Sequence, residues 1–191
     1  VDCTCPFVKK IHRIAKEESA PFSEHPEEAL GLIFGDERHP EVEGIRSYFS
    51  CRSEVFADFA SFEAYLTANA EALAQKKRLI LVSQTTQSLS EYKKCQKKLK
   101  KLYTNANIFD TICSVTEDRQ SETAALAKRA DVMLVVGGKS SSNTQKLYAI
   151  SKRFCPQTFF VEEAGEVPRP SLAAHSLVGI TAGASTPRDI I

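Results

Sequence analysis

Two similar α/β domains, each three layers with a mostly parallel sheet, are the fold class that this 191-residue sequence predicts. Three observations predict it. Apolar runs of strand length lack polar alternation, as expected where both faces of a parallel strand are buried. Between them lie segments with apolar residues at helical spacing. The order of these segments also repeats, offset by about a hundred residues.

Taken in order, Val8, Ile11, Ile14 and Ala15 after Cys5-Pro6 mark one face of a helix. Leu30 to Phe34 is a strand ended by Gly35-Asp36, and Pro40 suits the first turn of a helix. Glu54-Val55-Phe56 is an edge-strand candidate, and Phe62, Tyr65, Leu66 and Leu73 share one helical face. Leu79 to Val82 is a strand running into Ser83-Gln84-Thr85-Thr86; Tyr92, Cys95, Leu99 and Leu102 mark the next helix. The halves divide near 105–110, which gives domains over 1–108 and 109–191. The second half starts again with a cysteine, Cys113, ahead of a helix. Val132 to Val136 is a strand ended by Gly137-Gly138, Leu147, Ile150 and Phe154 mark a helix, and Thr158 to Val161 is an edge candidate. Leu177 to Ile180 is a strand ended by Thr181-Ala182-Gly183. Ligands of open parallel sheets gather at the carboxyl ends of strands. The polar turns follow strands, so they are expected to meet where the two domains meet.

Composition narrows the function classes. A net charge of +1 gives no global drive toward nucleic acid or anionic membrane. No apolar stretch reaches the ~18 residues of a membrane span. The sequence is read as lacking a secretory leader, so its six cysteines are expected in a reducing cytoplasm as core fillers, reactive thiols or metal ligands. The sole methionine, Met133, and the apolar Ile190-Ile191 at the end lead us to expect a piece of a longer protein.

Four turns could carry chemistry. In Gly138-Lys139-Ser140-Ser141-Ser142-Asn143, Ser142 or Asn143 is a good N-cap, and first-turn N–H groups with hydroxyls make an anion site; a plain capped turn is the alternative. The spacing is not that of a P-loop. Ala182-Gly183-Ala184-Ser185-Thr186-Pro187 repeats the device. His39 can donate to an anion or merely cap a helix, and Glu41 close by can act as an acid in a closed pocket. Gln84-Thr85-Thr86 offers amide and hydroxyl groups at a neighbouring strand end. Cys5 and Cys113, at matching places, read as cluster ligands or as structural thiols; no C-x-x-C spacing occurs. Cys3 would point away from Cys5 in an extended segment. Cys95 reads as core, and Cys51 and Cys155 receive no role. Lys93, Lys94, Lys97, Lys98, Lys100 and Lys101 read as a solvated helix face; nucleic-acid contact is the alternative, without an aromatic platform to support it.

Asp2-x-Thr4-Cys5-Pro6, His39-Pro40-Glu41-Val42-x-Gly44, Gln84-Thr85-Thr86, Thr111-Ile112-Cys113 with Arg119-Gln120, Val135-Val136-Gly137-Gly138-Lys139-x-Ser141-Ser142-Asn143-Thr144 and Thr181-Ala182-Gly183-Ala184-Ser185-Thr186-Pro187 occur in one order from end to end. So ordered, they resemble the 4-hydroxy-3-methylbut-2-enyl diphosphate reductase family, which closes the methylerythritol phosphate route to isoprenoids. The resemblance implies a pseudo-threefold trefoil of three α/β domains around a [4Fe-4S] cluster. This chain would hold the second and third, with the first domain, its cysteine and two substrate-binding histidines absent. Cys3 departs from the family, which usually has a small residue there. By the same resemblance Cys5 and Cys113 each bind one iron, and the fourth iron takes the substrate hydroxyl. Glu41 delivers protons, with Thr85 and Thr86 in its network. His39, Ser141, Ser142, Asn143 and Ser185 bind the diphosphate. Ferredoxin or flavodoxin supplies two electrons, and the products are isopentenyl and dimethylallyl diphosphate. A chain with two of three cysteines is expected to be inactive alone. The reading from another class is a non-redox two-domain module that binds a small phosphorylated ligand.

Overall fold

The computed structural model of the chain describes residues 5–168 and 177–187, and every strand pair among them is parallel. Asp2, Cys3, Thr4 and the pair Ile190-Ile191 lie outside the described residues, as do the positions after Pro187, where a helix is expected. The chain separates into two compact units, Val1–Ile112 and Cys113–Ile191.

The first unit runs α1 (Pro6–Ser19), β1 (Ala29–Phe34), α2 (Pro40–Ser47), β2 (Ser53–Phe56), α3 (Phe59–Ala68), α4 (Ala70–Ala74), β3 (Arg78–Ser83), α5 (Leu89–Leu102) and β4 (Ala106–Ile108). Its sheet has the order β2-β1-β3-β4. Successive side chains of a strand point to opposite faces, and both faces here are covered. Leu30, Leu32, Phe34, Leu79 and Leu81 pack under Phe62 and Leu66 of α3 and Tyr92, Cys95 and Leu99 of α5. Ile33 and Val82 pack under Ile11 of α1 and Val42 and Ile45 of α2. That double burial explains why the central runs carry no polar alternation.

Three details depart from the sequence reading. The helix through Phe62 and Leu73 breaks at Asn69, whose side-chain amide donates to the Tyr65 carbonyl at 2.9 Å. Asparagine competes for helical carbonyls in this way. The short strand β4 falls in the expected boundary and pairs with Leu79–Leu81. Beyond it Thr111 folds back on β3: its Oγ1 accepts from Ser83 N at 2.6 Å and donates to Ser83 O at 3.0 Å. These contacts keep 109–112 with the first sheet, so the units part after Ile112 rather than after 108. Leu102, the last residue of α5, is half exposed rather than core. On the same helix, Lys98 crosses to Glu63 of α3 at 2.7 Å and Lys94 pairs with Glu91 at 2.6 Å.

The second unit runs α6 (Ser114–Ala127), β5 (Val132–Val136), α7 (Ser142–Phe154), β6 (Thr158–Val161) and β7 (Val178–Ala182), with sheet order β6-β5-β7. Met133 packs with Ala127 of α6 and Cys155 at the end of α7. The other face of β5 packs Val132 and Leu134 with Val161, Phe159, Val178 and Val167. β7, expected as a doubly buried strand, lies at the edge of the described sheet, and its Ile180 is 51% exposed.

Candidate functional site

Strand register places the first group of candidates. Phe34 of β1 lies opposite Ser83 of β3, so Gly35 and Gln84 leave the sheet side by side. Gln84 N donates to Phe34 O at 2.9 Å, and Gln84 Oε1 accepts from Asp36 N at 3.0 Å. Gln84 Nε2 donates to Thr86 Oγ1 at 3.0 Å. Buried Gln84 is therefore a brace between the two turns. His39 caps α2, with Pro40 in the first turn, and its Nδ1 accepts from Glu41 N at 3.2 Å. An imidazole that accepts at Nδ1 carries its proton at Nε2 when neutral, which leaves Nε2–H to donate elsewhere. Glu41 turns back to β3: Oε1 accepts from Thr85 N at 2.6 Å and Oε2 accepts from Thr85 Oγ1 at 2.9 Å. The carboxylate also sits in the first turn of α2, where the helix dipole favours negative charge. His39, Glu41, Thr85 and Thr86 thus form one connected group at one end of the first sheet. His39 thus fills the capping role, and its Nε2 remains the atom by which it could donate to an anion.

The two candidate cluster cysteines start helices. Cys5 is the N-cap of α1 and is exposed; Cys113 is the N-cap of α6 and is half-buried. Their carbonyls accept from Lys9 N at 3.0 Å and Glu117 N at 2.9 Å, and neither thiol caps its helix. Both thiols are free, and cysteine sulfur is the usual protein ligand of iron–sulfur clusters. The donor chemistry of each cysteine taken by itself fits an iron–sulfur group. Among the described residues no three His, Cys, Asp or Glu side chains come together as a metal set. Cys51, Cys95 and Cys155 are buried, and burial pushes the Cys95 thiol up to about 12.

The second unit builds the polar turn after β5. Gly137 has φ +139°, and a Cβ there would lie 2.6 Å from Thr186 Oγ1. Gly183 N donates to Val136 O at 2.9 Å, and a Cβ on Gly183 would meet Thr144 Oγ1. Both glycines thus let the turns after β5 and β7 approach. The helix cap is Ser141, one residue earlier than expected: its Oγ accepts from Thr144 N at 3.4 Å. Ser142 and Asn143 then occupy the first turn of α7. Asn143 is 5% exposed, and neither polar atom of its side-chain amide has a hydrogen-bond partner among the described residues. An unpaired buried amide costs stability that a polar ligand would restore. Ser185 shares a cleft of about 240 Å³ with Gly137, Gly138, Glu162, Thr186 and Pro187. Ser141, Ser142, Asn143 and Ser185 therefore belong to adjoining turns at one end of the second sheet.

The sequence reading missed Glu162 and Glu166. Glu162 Oε1 accepts from Lys139 N at 2.7 Å, and Lys139 Nζ lies 2.7 Å from Glu166 and 3.4 Å from Glu162. The bond to Glu166, more than the pairing with Glu162, pushes the Lys139 ammonium up. The Glu162 N–H and then Lys139 hold the Glu166 carboxyl below its ordinary range. The available signal was a carboxylate immediately after a strand that flanks the glycine turn.

With this geometry in view, the comparison with known proteins is specific. The profile of the LytB protein family matches residues 1–191. The chain belongs to the LytB protein family. It is 39% identical over 191 residues to the 4-hydroxy-3-methylbut-2-enyl diphosphate reductase of Campylobacter curvus, covering 100% of this chain and 65% of that protein. It is 38% identical to the protein of the same name from Helicobacter hepaticus, again over 191 residues and 64% of that protein. The LytB chain thus spans about 65% of the length of such relatives. A solved structure described as the E-1-hydroxy-2-methyl-but-2-enyl-4-diphosphate reductase from Plasmodium falciparum shares its fold, with a TM-score of 0.82 over 98% of this chain and 56% of that one at 24% identity. A second solved structure, described as (E)-4-hydroxy-3-methyl-but-2-enyl diphosphate reductase, is 33% identical, with a TM-score of 0.54 and coverage of 98% and 63%. The resemblance carried by the ordered motifs is borne out, as is the parallel α/β fold class. None of the described helices of this LytB chain is long and apolar enough to cross a membrane.

Proposed function

We propose that this LytB chain supplies the second and third α/β domains of a cytoplasmic 4-hydroxy-3-methylbut-2-enyl diphosphate reductase. The overall change is reduction of an allylic alcohol: two electrons and two protons replace the hydroxyl by hydrogen and release water. Cys5 and Cys113 would hold two irons of a [4Fe-4S] cluster, and a further cysteine outside this chain a third. When bound, the cluster supplies the electrons, received from ferredoxin or flavodoxin, and an open Lewis-acid position.

The observation that carries the reading is the Glu41–Thr85 pair beside His39. Thr85 Oγ1 lies 2.9 Å from Glu41 Oε2; when Glu41 takes up a proton that bond reverses, the carboxyl donating to Oγ1 while the Thr85 hydroxyl donates its own proton to a departing hydroxyl. Glu41 is the group that holds that proton; Thr85 N fixes its other oxygen. Thr86, tied through Gln84, holds the outer edge of the same network. The diphosphate would be bound by His39 Nε2–H, the hydroxyls of Ser141, Ser142 and Ser185, and the Asn143 amide. The unpartnered Asn143 side chain supports that assignment.

The deciding experiment is anaerobic iron–sulfur reconstitution of a protein of the relatives' full length that contains this chain. A brown protein that turns over the diphosphate alcohol with a reduced viologen is expected, and Cys5→Ser or Cys113→Ser should remove the colour. The 191-residue chain alone should show no turnover. A full-length protein that takes up no iron yet binds pyrophosphate would instead establish the non-redox anion-binding module.

A further inference from the structure

We infer that Lys139 is not a ligand of the diphosphate but half of a clasp, closed by Glu162 and Glu166, that positions the anion-binding turn. A glycine turn followed by lysine and serines invites the opposite assignment, with the ammonium on the phosphate. The contacts of Lys139 argue otherwise. Its N–H donates to Glu162 Oε1 at 2.7 Å, and its carbonyl accepts from Gln145 Nε2 at 2.7 Å. Its ammonium is 2.7 Å from Glu166 Oε1 and 3.4 Å from Glu162 Oε2. Glu166 Oε2 in turn accepts from Glu162 N at 2.8 Å, which fixes the second carboxylate to the end of β6. The N–H, carbonyl and ammonium of one residue are thus each engaged, two residues before the Ser141 cap, although the side chain stays half exposed.

The first unit braces its turn from the opposite flank of its central strand, since β3 stands beside β1 on the side that β7, not β6, takes beside β5. There Gln84, after a neighbouring parallel strand, accepts the N–H of Asp36, the residue after Gly35. Glu162, after a neighbouring parallel strand, accepts the N–H of the residue after Gly138. In each unit a side chain from the end of a flanking strand, β3 in one and β6 in the other, braces the turn before the residues proposed to touch substrate. The charge balance agrees. Lys139 with Glu162 and Glu166 leaves one net negative charge beside the cleft, so the clasp cannot attract an anion; its role is geometric.

This inference rests on reading Ser141–Asn143 as the diphosphate site, and two measurements keep the claims apart. The first uses inorganic pyrophosphate, titrated by calorimetry into a protein of the relatives' full length that contains this chain, and into its variants. Glu162→Ala with Glu166→Ala should weaken binding about tenfold, the scale of one or two lost charge-assisted hydrogen bonds. Electrostatics alone, or a freed Lys139 ligand, would strengthen it, so tighter binding overturns the clasp. Glu162→Gln, which keeps the acceptor for the Lys139 N–H, should restore most of the affinity. Lys139→Met keeps that N–H and should cost less than about threefold, with unchanged salt dependence; lost binding and a flattened salt slope would make Lys139 a ligand. The second measurement is hydrogen exchange at the Lys139 amide without ligand. It should be slow in the parent chain and in Glu162→Gln and fast in Glu162→Ala; equal protection in all three overturns the clasp. If the full-length protein binds no pyrophosphate, the diphosphate-site reading fails while the exchange result still decides the clasp.

Discussion

At the residue scale, the chain places its chemistry in small connected groups whose members are individually replaceable tests. Glu41 accepts two bonds from Thr85, one from the backbone and one from the hydroxyl. Thr85→Val removes the second alone. It should cost about 1 kcal/mol in urea denaturation, and turnover of the full-length enzyme should fall further than that figure converts to. Glu41→Gln should leave the fold intact by circular dichroism and lower kcat by about 10²-fold or more, with KM little moved; a KM effect alone would assign Glu41 to binding. These roles were legible because polar residues after buried strands stand out. The partner of each was not: nothing in the spacing says that Glu41 bonds to Thr85 rather than reaching solvent. Gly137 shows the same divide. Its φ of +139° and the Thr186 hydroxyl 2.6 Å from any Cβ come from two turns far apart in sequence. Gly137→Ala should destabilise the second unit by about 1–3 kcal/mol, seen as an earlier denaturation midpoint.

At the element scale, helix starts and strand ends do most of the positioning. Cys5 and Cys113 each begin a 14-residue helix, so each thiol sits at a positive helix end. Brief alkylation near neutral pH should label exposed Cys5 in the intact chain and spare Cys95, whose buried thiol is pushed up to about 12; mass spectrometry of the peptides reads the outcome, and early labelling of Cys95 would contradict its place in the core. The clasp after β6 has a pH signature. The folded Glu166 carboxyl lies below its ordinary 4.5, held there by the Glu162 N–H and by Lys139. Its contribution to stability is therefore complete above that value and is lost as pH falls through the folded value. Glu166→Gln should flatten the acid limb of a stability-against-pH curve in that window and leave neutral pH less affected by comparison. Four helical segments were legible from apolar spacing, whereas α2 was read from Pro40 and α6 from the repeat; the break at Asn69 was not legible, because apolar periodicity continues across it.

At the scale of the whole chain, two units with separate cores explain why the repeat was visible. Each half buries a central strand on both faces, so each carries its own continuous apolar runs. Leu147 on α7 is fully buried, and Leu147→Ala should cost about 2–5 kcal/mol, with the loss confined to the unfolding of the second unit. What the sequence by itself determined is the parallel α/β class, most of the elements, the family and the places where chemistry-bearing turns occur. Burial on two faces and helical spacing are local signals, and local signals survive in a string of residues. Only the tertiary structure decided the end of the first unit at Ile112, since Thr111 returns to a strand passed long before. Only it assigned Ser141 rather than Ser142 or Asn143 as the cap, left the Asn143 amide without a partner, and turned Lys139 away into two carboxylates. Each of these depends on which strand ends lie side by side, and that adjacency is set by sheet order and register, which no single segment encodes.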